Sequence, residues 1–84
     1  MSERENFDDI ELIESLLDQT YTKDGKSVEI CIYRTPDTPW VVEVIDKFNN
    51  STVWDDEFES DKDALEFVLG EIEREGIDSF IRVR

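Results

Sequence analysis

The sequence predicts an α+β domain, a three-stranded antiparallel β-meander with an N-terminal and a C-terminal helix packed on one face, in the order α-β-β-β-α. Three observations predict it. Apolar residues recur at helical spacing near both ends of the chain. They alternate with polar residues through its middle, and turn formers at Asp24-Gly25, Pro36 to Pro39 and Asn49-Asn50 punctuate that middle. Short connections between such elements favour a meander with both helices on one side.

The first element is an amphipathic helix from Phe7 to about Thr20. Phe7, Ile10, Ile13, Leu16 and Leu17 stand three or four apart, with Asp8, Asp9, Glu11, Glu14 and Asp18 between them. Asn6 fits an N-cap, and acids in the first turn suit the positive end of the helix dipole. Asp24-Gly25 then favours a turn with positive φ. Ser27 to Arg34 reads as a strand, with Val28, Ile30 and Ile32 on one side and Glu29, Cys31 and Tyr33 on the other. Pro36 and Pro39 fix φ and withhold ladder donors, so the segment around them is a turn.

A second strand runs from Trp40 to about Phe48. Asn49-Asn50 closes a tight hairpin, and Ser51 to about Asp56 forms the third strand. Ser60 caps a helix with Asp63 three residues on, a relative of the capping box. That helix spans Asp61 to Glu75, carries the stripe Ala64, Leu65, Phe67, Val68, Leu69 and Ile72, and stops at Gly76. Residues 1–84 form one domain in this reading, with 1–6 disordered. The tail, 77–84, adds a short turn or strand, with Ile77, Phe80 and Ile81 available to pack.

Composition agrees with a small folded domain. A chain of 84 residues supports one core, and a 38% hydrophobic content with two Trp and five Phe is too rich for an acidic disordered tail. Its 23 acids and 9 bases give a formal net charge of -14. Such a field repels phosphate backbones and anionic membranes, and favours a basic protein or simple solubility. Direct nucleic-acid binding and membrane binding are therefore not expected. Cys31 is the sole cysteine and there is no histidine, so an intrachain disulfide, a cysteine-built zinc site and a histidine base are all excluded. The start, MSERENFDD, has neither the basic opening nor the apolar run of a signal peptide, which makes the expected location cytoplasmic.

The α-β-β-β-α order resembles that of the double-stranded-RNA-binding domain, with Ser60-Asp61-Lys62-Asp63-Ala64 where that family starts its second helix. In the family this helix start is lysine-rich and grips phosphates. Here Asp61 and Asp63 flank a single Lys62, so the RNA activity is not carried over. The chain is also similar to short acidic bacterial proteins of unknown function that pair a VWDD strand with a DALEF-like helix. The matching residues are Val53 to Asp56, Asp63 to Phe67 and Glu73-Arg74-Glu75-Gly76. That resemblance implies a bacterial cytosolic setting and no activity.

Between Trp54 and Phe67, Asp55, Glu57, Glu59, Asp61, Asp63 and Glu66 fall at the six offsets of the ligands in a calcium-binding EF-hand loop. The loop also needs a glycine at its sixth position, an apolar residue at its eighth and a helix before it. This chain has Ser60, Lys62 and a strand there, so the acids are read as a strand exit followed by a helix start. Paired carboxylates could do acid–base chemistry only in a cleft that separates their pKa values, which a domain this small rarely builds. Gly25, Gly70 and Gly76 are too scattered for a phosphate loop, and Cys31 has no histidine to activate it. No catalytic, cofactor-binding or metal residue is assigned.

A two-residue Asn49-Asn50 turn would pair Phe48 with Ser51, Asp46 with Val53 and Ile45 with Trp54. One face then carries Trp40, Val42, Val44 and Val53, and the other Val41, Ile45, Trp54 and Phe58. If Val28, Ile30 and Ile32 join the first face, the helices cover it and leave Cys31, Tyr33, Val41, Ile45 and Trp54 outside. A one-residue slip in the Pro36 turn would exchange the faces of the first strand. Alternatively the tail folds across the open face through Phe80 and Ile81. The expected function is a non-enzymatic protein-interaction domain, with a homodimer as one form, that binds through Tyr33, Val41, Ile45, Trp54 and Phe58. The alternative is a nucleic-acid mimic whose Asp55, Asp56, Glu57, Glu59, Asp61, Asp63 and Glu66 occupy the basic groove of a DNA- or RNA-binding protein. From Asp55 to Asp78, eleven acids meet only Lys62 and Arg74.

Overall fold

The computed structural model describes residues 11–81. Five antiparallel strands form one sheet: β1 (Ile13–Glu14), β2 (Gln19–Lys23), β3 (Lys26–Arg34), β4 (Val41–Ile45) and β5 (Ser51–Val53). One helix, α1 (Asp61–Glu75), packs on one face and is followed by a 3-10 turn, Ile77–Phe80. The sheet runs β1-β3-β4-β5, with β2 also paired to β3. The class is α+β with an antiparallel sheet, as predicted, but the sheet has more than three strands. No helix among the described residues is long and apolar enough to cross a membrane.

The predicted N-terminal helix is the main correction. Phe7 to Ile10 lie outside the described residues; from Glu11 to Thr20 the chain is not helical. Instead Ile13 and Glu14 pair with Arg34 and Tyr33, and Gln19 to Lys23 pair with Ile30 to Lys26. The nine-residue β3 is long enough to take both segments along one edge. Between them, short polar side chains bridge the gap. The Ser15 N–H donates to the Ile32 carbonyl at 2.9 Å, and the Ile32 N–H donates to the Asp18 carboxylate at 2.7 Å. The Ser15 hydroxyl also accepts the Leu17 N–H at 2.8 Å. Serine and aspartate offer the backbone such alternatives to a helix, and Thr20-Tyr21-Thr22 adds β-branched and aromatic residues that suit a pleated surface.

The Asp24-Gly25 turn forms as expected. Both residues have positive φ, 56° and 78°, and join Lys23 to its partner Lys26 in a two-residue hairpin. Across the proline turn, Ile32 pairs with Val42 and Ile30 with Val44, so these residues share one face. The second hairpin departs from expectation. Asp46 pairs with Asn50 through an N–H to carbonyl bond of 2.9 Å, leaving a three-residue loop in which Asn49 takes φ 70°. The buried Asp46 carboxylate closes this loop by accepting the Phe48 and Asn50 N–H groups at 2.9 and 2.8 Å and the Asn50 side-chain amide at 3.0 Å. Ser51 therefore pairs with Ile45 rather than Phe48. The offset is odd, so the faces of β5 are exchanged. β5 also ends at Val53, and only an isolated bridge between Trp40 and Phe58 continues the pairing.

α1 has the predicted bounds. The Ser60 hydroxyl accepts the Asp63 N–H at 3.0 Å, and Gly76 ends the helix with φ 86°. Ala64, Val68 and Ile72 reach the core one helical turn apart, against Val28, Ile30, Ile32, Val42 and Val44 of the sheet. Ile77 and Phe80 of the tail close the same core.

Candidate functional site

α1 and the 3-10 turn lie over the face that carries Val28, Ile30 and Ile32. The opposite, outer face holds Cys31, Tyr33, Val41, Glu43 and Ile45, all half-buried by strand pairing. Val53, opposite Glu43, extends this apolar strip and is 53% exposed. Glu14 pairs with Tyr33 and Thr20 with Glu29, so acids border the strip along β1 and β3. A shallow cavity of about 410 Å³ opens where the strip meets the second hairpin, with Thr20, Ser27, Glu29, Ile45 and Lys47 in its walls.

The electrostatics of this face are negative. Burial pushes the Cys31 thiol above its ordinary value, and the charges of Asp18, Glu43, Glu29 and Glu14 push it further. The Tyr33 phenol is raised by burial and then by Glu43, which accepts its hydroxyl at 3.2 Å. Both groups stay protonated at neutral pH. Neither is set up as a nucleophile, because an activated thiol or phenol needs its pKa lowered.

Of the five residues expected to bind a partner, the structure brings Tyr33, Val41 and Ile45 together on the outer face. Trp54 and Phe58 are not with them, which corrects their expected position. The exchanged register of β5 sends Trp54 to the helix side, where its ring lies 5.8 Å from both Phe67 and Phe80. Phe58 lies 5.1 Å from Phe67 in the same cluster. The tail, through Phe80, thus covers Trp54 from the core side and leaves the outer strip uncovered among the described residues. By the same exchange Val53, expected in the core, stands on the outer face.

The acidic residues divide into two groups. Asp55, Asp56, Glu57 and Glu59 are exposed on the segment between β5 and α1, as are Asp63 and Glu66 in α1. Asp61 is half-buried and accepts the Ser15 hydroxyl at 2.7 Å, tying the N-terminus of α1 to the link between β1 and β2. Among the described residues, no group of three or more Cys, Asp or Glu could hold a metal ion.

Sequence reasoning placed Glu29 on the side of Cys31 and Tyr33 but missed Glu14 as a neighbour of the strip, since it placed Glu14 on a helix. It also missed Asp46, whose signal was available: an aspartate just ahead of the Asn49-Asn50 turn candidate can accept the backbone N–H two residues on and cap its own loop. Compared with known proteins, the chain matches no family model and, at a significant level, no curated protein and no solved structure.

Proposed function

We propose that this chain is a non-enzymatic protein-interaction domain that receives a basic partner on the outer face of its sheet. The observation that supports this most is that, among the described residues, the sheet is covered on one side. Val41, Ile45 and Val53 form an apolar strip with Tyr33 and Cys31 beside it; Glu43 stands within it, between Val41 and Ile45, and Glu14 and Glu29 border it. An apolar strip with an acidic frame suits a partner with apolar anchors and lysine or arginine around them. A face-to-face homodimer fits less well, because it would bring two sets of the framing glutamates together.

The test is titration of the isotope-labelled protein with an extended peptide of alternating valine and lysine, followed by amide NMR. Shifts should concentrate on β3 and β4 and disappear in the Ile45→Asp variant while the rest of its spectrum stays native. The reading fails if the peptide perturbs no amide on these strands.

A second reading, the nucleic-acid mimic, is supported by the exposed run Asp55, Asp56, Glu57 and Glu59 leading into Asp63 and Glu66. It places the contact on that segment, at the far end of the sheet from the two hairpin turns. Its complex should weaken steeply between low and physiological salt, whereas contact through the apolar strip should hold.

A further inference from the structure

We propose that a cavity between the two hairpin turns and the tail binds a small zwitterion with an apolar body, of the class of free apolar α-amino acids. The β3–β4 pairing ends at Glu29 and Ile45, and the strands continue into the Asp24-Gly25 turn and the Lys47–Asn49 loop, which therefore lie side by side. The 3-10 turn supplies the third wall. The cavity has a volume of about 490 Å³ and is lined by Lys26, Lys47, Asp78, Phe48 and Ile81, together with Gly25 and Ser27. That volume lies within the usual small-molecule range of roughly 300–1,000 Å³.

The chemistry of the walls selects the ligand. The described residues hold six bases, Lys23, Lys26, Arg34, Lys47, Lys62 and Arg74, and two of them face this one cavity. Lys26 is paired with Asp78 at 2.7 Å, so the cavity presents both signs of charge at once. The Lys47 ammonium sits 5.4 Å from the centre of the Phe48 ring. A simple anion would approach against the -14 field, and a simple cation would meet two lysines. A zwitterion suffers neither penalty. Its carboxylate takes the two ammonium groups, its own ammonium takes Asp78, and its apolar side chain lies against Phe48 and Ile81, both half-buried. The site shares Ser27 and Lys47 with the shallow cavity at the end of the outer strip, but Lys26, Asp78, Phe48 and Ile81 lie outside that cavity, and the proposal does not depend on the strip's function.

The probes are L-phenylalanine and L-leucine at millimolar concentration, with 3-phenylpropionate and phenethylamine as single-charge controls, read by amide NMR on the full chain. Both amino acids should give saturable shifts at Gly25 to Ser27, Lys47, Phe48 and Asp78. Each control should bind about tenfold more weakly, the loss of one charged hydrogen bond. Asp78→Asn should weaken L-phenylalanine by a similar factor and leave 3-phenylpropionate unweakened, since that probe has no ammonium to lose. Lys47→Gln should weaken both. Asp78 and Lys47 are exposed, so both variants retain the fold, and native shifts elsewhere in the spectrum check this. The proposal is overturned if neither amino acid gives a saturable shift, if the controls bind equally well, or if Asp78→Asn weakens 3-phenylpropionate as much as L-phenylalanine.

Discussion

Two segments of this chain share helical spacing, Glu11 to Thr20 and Asp61 to Glu75, and only the second is a helix. Both combine a three- and four-residue apolar rhythm with acids near the start. They differ in what surrounds the pattern. The second segment has Ser60 as a working N-cap, Gly76 as a stop, and a buried row of Ala64, Val68 and Ile72 on the sheet. In the first, Ser15 and Asp18 lie inside the apolar rhythm and bond to β3 instead, while Leu16 is wholly exposed and Leu12 is 53% exposed. Period alone therefore does not decide between helix and strand. The interior polar residues and the length of the neighbouring strand do.

Ile72→Ala in α1 should have the largest effect, a loss of about 2–5 kcal/mol in chemical denaturation, because Ile72 is fully buried in the core. Next, Asp18→Ala should cost about 1–3 kcal/mol, since the Ile32 N–H loses the carboxylate that replaces its ladder partner. If residues 11–20 were an independent helix, this exposed aspartate would be nearly neutral. Ser60→Ala removes the cap of α1 and should cost about 1 kcal/mol, with faster amide exchange in its first turn. Leu16→Ala, in a helical stripe by spacing but exposed in the sheet link, should change stability by less than about 0.5 kcal/mol. A loss like that of Ile72→Ala would reverse the comparison.

The smallest effect concerns Cys31. Its folded pKa is raised above the ordinary 9.0, so the unfolded thiol ionises first and its contribution makes stability fall as pH rises through 9.0. Thiol alkylation of the native protein should accordingly reach half its limiting rate at a higher pH than in denaturant. Asp18→Asn should shift the native profile downward, because Asp18 contributes to the rise. A profile unmoved by that change would place Asp18 away from β3.

Elements with complete local signals were legible in the sequence. Asp24-Gly25 marked a turn of positive φ, and Ser60, Asp63 and Gly76 bounded α1 to the residue. Alternation grouped Val28, Ile30 and Ile32 on one side and Val42 and Val44 on one side, while the register that joins the two groups on the inward face was left open by the Pro36 turn and came from the pairing of β3 with β4. The candidate strip was legible where it rests on those strands, at Tyr33, Val41 and Ile45. It was not legible where it rests on β5. A side-chain period of two makes an odd register shift exchange every face, and that shift came from the Asp46 carboxylate, which made a three-residue loop of what the Asn49-Asn50 pair suggested was a two-residue one.

The sequence by itself determined that the chain is acidic, has one cysteine and no histidine, alternates through its middle and carries a capped helix near its end. These are local or compositional properties, set by each residue and its near neighbours. Only the tertiary structure decided that residues 13–14 and 19–23 lie along β3 as strands, that Trp54 turns toward Phe67 and Phe80, and that Val53 stands outside. Those outcomes depend on pairings between distant segments, where hydrogen bonds and buried area outweigh a helical rhythm worth only a few tenths of a kcal/mol per residue, at most ~0.7.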